Sequence, residues 1–185
     1  NTFGGDGKVA TPVGTGDLYA SCEAVAIQAD GKIIGGGWGY YANFDADFTL
    51  VRWLADGNLD NTFSNDGKVN TDILSHSSDD CQSIVIQPDG NIVAVGSTSG
   101  LQGRVAVVRY LPDGSPDNSF SGDGKLTLAA GGMYGGFDVA LQSDGKLVIA
   151  GTKLLSSSSD FALFRLFKNG SLDNSFGNSG IVTTD

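Results

Sequence analysis

The chain has 185 residues, 40% of them hydrophobic, and a formal net charge of −10 with an isoelectric point near 4.2. So acidic a molecule repels a phosphate backbone, and with no local basic patch to override that repulsion a nucleic-acid partner is excluded. No apolar run approaches the eighteen or so residues that a membrane-spanning helix needs, which argues against membrane insertion.

Glycine occurs 28 times, and Glu23 is the only glutamate among the 21 acidic residues. Stretches of alanine, leucine, lysine and glutamate that make surface helices are missing, so strands and turns are the expectation. The opening residues Asn1–Lys8 have none of the charge and hydrophobicity pattern of a leader, so any targeting signal is expected to have been removed or to lie elsewhere.

In chain order, the first feature is a repeat start. Asn1-Thr2-Phe3-Gly4-Gly5-Asp6-Gly7-Lys8-Val9 recurs as Asn61–Val69 and Asn118–Leu126, and a fourth start, Asn174–Val182, breaks off near Asp185. One domain of three units is expected, 1–60, 61–117 and 118–173, with a partial unit over 174–185; a fixed period of this kind decides the architecture before any local signal does.

Within each unit a second string follows. Val25–Ile34 carries Asp30-Gly31, and its copies Ile84–Val93 and Val139–Val148 carry Asp89-Gly90 and Asp144-Gly145. Asp-Gly between β-branched runs predicts two strands joined by a two-residue hairpin turn. A third strand is predicted over Phe48–Leu54, Val105–Leu111 and Phe161–Phe167, each with an arginine at the same place: Arg52, Arg109 and Arg165. It turns at Asp56-Gly57, Asp113-Gly114 or Asn169-Gly170 into a fourth element ending in the Gly-Lys-Val segment. Four short antiparallel strands per unit describe an all-β protein of β-propeller-type blades, with a stacked solenoid as the alternative.

The strings Asp56–Val69, Asp113–Leu126 and Asn169–Val182, together with Val25–Gly35 and its copies, resemble the delta-60 repeat family of bacterial propeller-like repeats. The resemblance spans nearly the whole chain. It implies a propeller within large, exported, mostly bacterial proteins and no family-wide catalytic activity. Asn169 and Ser179 depart from the aspartates usual in the family.

With Val25–Gln28 innermost and Gly-Lys-Val outermost, there are three inner strands but four outer ones. The extra outer strand is Gly7, Lys8, Val9, Ala10 and Thr11, and such an edge demands completion. Three blades also fall below the usual four to eight. The expectation is a non-catalytic structural or assembly module, exported or at the cell surface. It would associate with another copy or with further repeats of the same protein, in a closed oligomer or an open filament.

The Asp-Gly turns should share one rim and the variable loops the other, where function concentrates. Those loops hold Tyr19, Trp38, Tyr40, Tyr41, Phe44 and Tyr134, beside Asp45 and Asp47. Aromatic faces next to carboxylates suit a polyol or sugar, which makes glycan binding the alternative function; packing between loops is the plainer reading.

No cofactor is expected. Asp6, Asp66 and Asp123, with Asp60, Asp117 and Asp173, read as calcium ligands only against the spacing, which matches neither an EF-hand nor the nonapeptide repeat. Turn-forming bonds, and pairing of Asp60 with Arg52, explain them as well. Cys22 and Cys81 hold equivalent places in successive units, too far apart across packed sheets for a disulfide, so two thiols are expected. The lone histidine, His76, lies in the polar loop Ser75–Asp80, where neighbouring residues do not converge as a triad requires.

Overall fold

The computed structural model describes residues 3–14, 19–41, 45–75, 77–99, 103–128, 133–154 and 157–184. The first sheet contains β1 (Ala20–Ile27), β2 (Ile33–Tyr40), β3 (Ala46–Trp53) and β4 (Lys68–Thr71). The second contains β5 (Asp79–Ile86), β6 (Ile92–Thr98), β7 (Arg104–Tyr110) and β8 (Lys125–Leu128), and the third β9 (Met133–Leu141), β10 (Leu147–Leu154), β11 (Ser159–Leu166) and β12 (Ile181–Thr183). Each sheet is antiparallel with its strands in chain order, and among the described residues no helix occurs. The innermost strands β1, β5 and β9 of successive sheets lie against one another, the arrangement of propeller blades.

Each inner hairpin uses a three-residue loop where two-residue turns are expected from the sequence. Gln28 N donates to Lys32 O and Gly31 N to Gln28 O, with Gly31 at φ +84°. A type I turn followed by a left-handed residue has this pattern, and glycine adopts that φ without a Cβ penalty. Asp30 completes the turn by accepting a bond from Lys32 N at 3.1 Å, as Asp89 does from Asn91 and Asp144 from Lys146.

The link from β3 to β4 also differs from a simple hairpin. It makes the same kind of turn at Asp56-Gly57, forms a single bridge between Trp53 and Leu59, and turns again through Phe63 before β4 begins. That second turn seats the blade on its successor. Ser64 N donates to Asp113 O at 2.8 Å, and Ser121 N to Asn169 O at 3.0 Å. The fully buried rings of Phe63 and Phe120 fit beneath Gly114 and Gly170; a Cβ on Gly114 would lie 2.8 Å from the Phe63 ring.

An arginine locks each seat. Arg52 Nε donates to Asp60 Oδ2 at 2.8 Å, its Cζ stands 4.5 Å from the centroid of Phe63, and Nη1 donates to the carbonyl of Pro112 in the next blade. Arg109 repeats this with Asp117, Phe120 and the carbonyl of Lys168. Burial pushes the Asp60 carboxyl up, but the hydroxyl and amide of Thr62, then Arg52 and Lys32, outweigh it and hold the group down at about 2.

Two hydrophobic cores result, one per junction. Phe48, Leu50, Phe63, Ile84, Ile92 and Tyr110 fill the first, and Val105, Val107, Phe120, Val139, Ile149 and Phe164 fill the second.

The extra outer strand is present as the segment Gly7–Thr11, docked on the first blade without a ladder of its own among the described residues. Gly4 N donates to Asp56 O at 2.9 Å and Phe3 packs against Gly57, the same seat that Phe63 and Phe120 occupy one and two blades on. Thr11 Oγ1 accepts a bond from Trp53 Nε1 at 2.8 Å.

Because Phe120 is enclosed and bears one face of the Arg109 clamp, Phe120→Ala is expected to destabilise the protein by about 3–5 kcal/mol. Denaturant titration followed by circular dichroism measures it, and a loss below about 1 kcal/mol would mean that the seat contributes little.

Candidate functional site

The variable loops gather on the rim opposite the Asp-Gly turns. A cavity of about 370 Å³ opens there, lined by Trp38, Tyr40, Ala46, the strand-entry residues Ser78, Asp79 and Asp80, and Ser97, Thr98 and Ser99 at the end of β6. Trp38 and Tyr40 are two apart on β2, so both side chains leave the same face of the pleat, toward the second blade. Their rings meet edge to face, with centroids 5.5 Å apart and planes at 80°. Half-buried aromatic rings thus form one wall, and hydroxyls and carboxylates the other.

The other expected residues divide. Tyr41 is half-buried and its hydroxyl lies 3.1 Å from Thr49 Oγ1, so it braces β3 from within the blade, and burial pushes its phenol up. Tyr19 stands 79% exposed just before β1, away from the lining of the cavity. Asp47 is buried at the base of β3, where Asn70 Nδ2 donates to its Oδ2 at 3.0 Å, and burial raises its carboxyl. Asp45 accepts a backbone bond from Tyr41 N through its carbonyl. Phe44 and His76 lie outside the described residues, as does the side chain of Tyr134, whose backbone belongs to β9.

Asp79 and Asp80 enter the site as residues that sequence reasoning placed only in a polar loop. Asp79 is enclosed; Ile73 N donates to its Oδ2 at 2.7 Å, and Ser77 Oγ is 2.7 Å from its Oδ1. Burial raises both carboxyls. Ser77 and Asp79 thereby shape the loop, with Thr98 Oγ1 donating to Ser77 Oγ at 2.9 Å. The signal for them was the pair of polar residues at the mouth of an inner strand, which only the neighbouring blade turns into a wall.

The recurring aspartates offered as calcium ligands are committed elsewhere. Asp6, Asp66 and Asp123 accept bonds from the amides of Lys8, Lys68 and Lys125, and Asp60, Asp117 and Asp173 hold the three arginines.

A family model described as a domain of unknown function (DUF5122) beta-propeller matches residues 28–63, 87–120 and 142–176, one stretch per repeat and more than half of the chain. Each stretch runs from the inner turn to the phenylalanine at the equivalent place: Phe63, Phe120 and Phe176. No curated protein matches the chain.

Both cysteines are free thiols. Cys81 is enclosed between the first two blades, and burial pushes its thiol far above the ordinary range, whereas Cys22 faces solvent. A thiolate is the reactive form, so one equivalent of a thiol reagent is expected to react with the native protein and two with the unfolded chain. Two fast equivalents in the native state would contradict the packing of Cys81.

Proposed function

The chain belongs to the DUF5122 beta-propeller family, and from that premise we propose that it is a non-catalytic assembly module whose two end faces are incompletely filled halves of the blade junction. The observation that carries this is the fate of equivalent residues. Phe161 is 83% exposed, while Phe48 and Val105 at the same place in the earlier blades are fully buried. At the other end Val25 is 69% exposed, against 8% for Ile84 and 5% for Val139. Arg165 keeps Asp173 and Phe176, but among the described residues no following carbonyl receives its Nη1. Burying a side chain such as Phe161 or Val25 is worth about 1.5–3 kcal/mol each, a strong drive toward completion.

The occupant that fits both faces is another blade of this repeat. Within a longer polypeptide a flanking repeat supplies it. Between copies, β11 exchanges the three-residue edge strand β12 for Gly7–Thr11 of the next molecule, which brings Phe161 and Arg165 onto that molecule's first blade. The contact is heterologous, so it closes as a ring or continues as a filament. The resemblance of the repeat strings to delta-60 repeats supports placing the protein among exported bacterial proteins, at the cell surface or outside the cell.

Removing residues 1–11 is expected to abolish self-association, and removing 174–185 to strengthen it, because the competing edge strand is gone. Light scattering at several concentrations reads both. A mass of one chain for all three proteins would refute association between copies and leave only flanking repeats as the occupant.

The cavity beside Trp38 and Tyr40 favours a second reading, a carbohydrate-binding propeller. Trp38→Ala is expected to abolish retardation in an affinity gel containing a polysaccharide that retards the wild type; unchanged migration would remove the cavity from the account.

A further inference from the structure

The first blade junction holds a group of charges that the repeat does not require. Asp47 at the start of β3, Asp72 just after β4 and Asp79 at the start of β5 bring one carboxylate oxygen each to within 4.8 Å of one another. Three negative charges at such distances repel strongly. Among the described residues none of the three is in an ion pair, and the ammonium of Lys125 reaches the backbone carbonyl of Asp72, at 2.7 Å.

A second observation is independent of the clustering. Asp47 is only 3% exposed and its Oδ1 is sealed from solvent with no hydrogen-bond partner, while Oδ2 accepts from Asn70. Enclosed carboxylate oxygens normally have a partner, because leaving one unpaired carries the full desolvation penalty. Blade packing does not impose the arrangement: at the next junction the place of Asp47 is taken by Arg104, and the same seat, clamp and core form without a carboxylate there.

We propose that Asp47, Asp72 and Asp79 bind a hard divalent cation, calcium by their oxygen-only ligand set, which clips the first blade to the second. A donor set of three carboxylates without nitrogen or sulfur favours calcium over zinc or copper, and calcium tolerates the irregular geometry of ligands drawn from a strand start, a connection and a second strand start. Asp72 is exposed and gives the ion a route in; Asp47 and Asp79 are enclosed and hold it, Asp79 through lone pairs beyond those that accept from Ile73 N and Ser77 Oγ. The bound ion neutralises the mutual repulsion and supplies the missing partner of Asp47. Asp79 also borders the cavity of Trp38 and Tyr40, so the ion stiffens one wall of that cavity.

The test uses the whole chain, stripped with a chelator and titrated with calcium chloride by calorimetry and by thermal unfolding. One site is expected, with a dissociation constant of about 0.1–1 mM as in extracellular calcium modules, and a melting temperature that rises with calcium and then grows only logarithmically. Asp72→Asn lies at the surface and should fold; it is expected to weaken binding at least tenfold. Asp47→Asn is expected to melt higher than wild type in chelator and to lose the calcium increment. No heat and no melting shift up to about 10 mM calcium, ten times the weak end of that range, would overturn the proposal. So would full calcium affinity in Asp72→Asn, and an equal response to magnesium would overturn the choice of ion.

Discussion

A guanidinium shared by two blades is the interaction on which the rest of the structure depends. Arg52 and Arg109 each satisfy a buried carboxylate through Nε, cover a phenyl ring with the flat of the group and spend Nη1 on a carbonyl of the following blade. Only arginine offers a rigid planar fork with a stacking face, so lysine would keep the charge and lose the geometry. The carboxylates of Asp60 and Asp117 are in turn fixed by Thr62 and Ser119, so the clamp is satisfied on every side. Buried charges are tolerable on that condition alone.

From this clamp the blades propagate. Each seat is made by the Phe-bearing turn of one unit on the turn after the third strand of the next, so each unit is packed through its neighbours, as in other repeat proteins. The three units here form two junctions, each with its own hydrophobic core. The segment Phe3–Thr11 covers the turn at Gly57 of the first blade but not Val25, which stays exposed.

Much of this was legible in the sequence because repetition amplified it. Asp-Gly turns, the arginine in the third strand of each blade and the Asn-x-Phe starts announced four strands per blade, and the pairing of Asp60 with Arg52 followed from their recurrence. The three-residue loops with Gly31 in the left-handed region were not legible, since Asp-Gly also suits a two-residue turn. Neither was the second turn through Phe63, whose purpose exists only in the next blade. At the rim Trp38 and Tyr40 were found and share one cavity, whereas Tyr41 turned out to brace its own blade and Tyr19 to stand apart. The triad of Asp47, Asp72 and Asp79 escaped because it occurs once: no periodicity marks it, and its members meet only when two blades pack.

The repeated residues thus build the scaffold, and the unrepeated ones gather at the loop rim. The central claim is that the ends of the array are junction halves awaiting a blade. Hydrogen exchange measured residue by residue over a range of protein concentrations tests it most directly. The account predicts that the amides of Lys8–Thr11 gain protection as concentration rises while those of Ile181–Thr183 lose it. Exchange at both segments that does not change with concentration would contradict it.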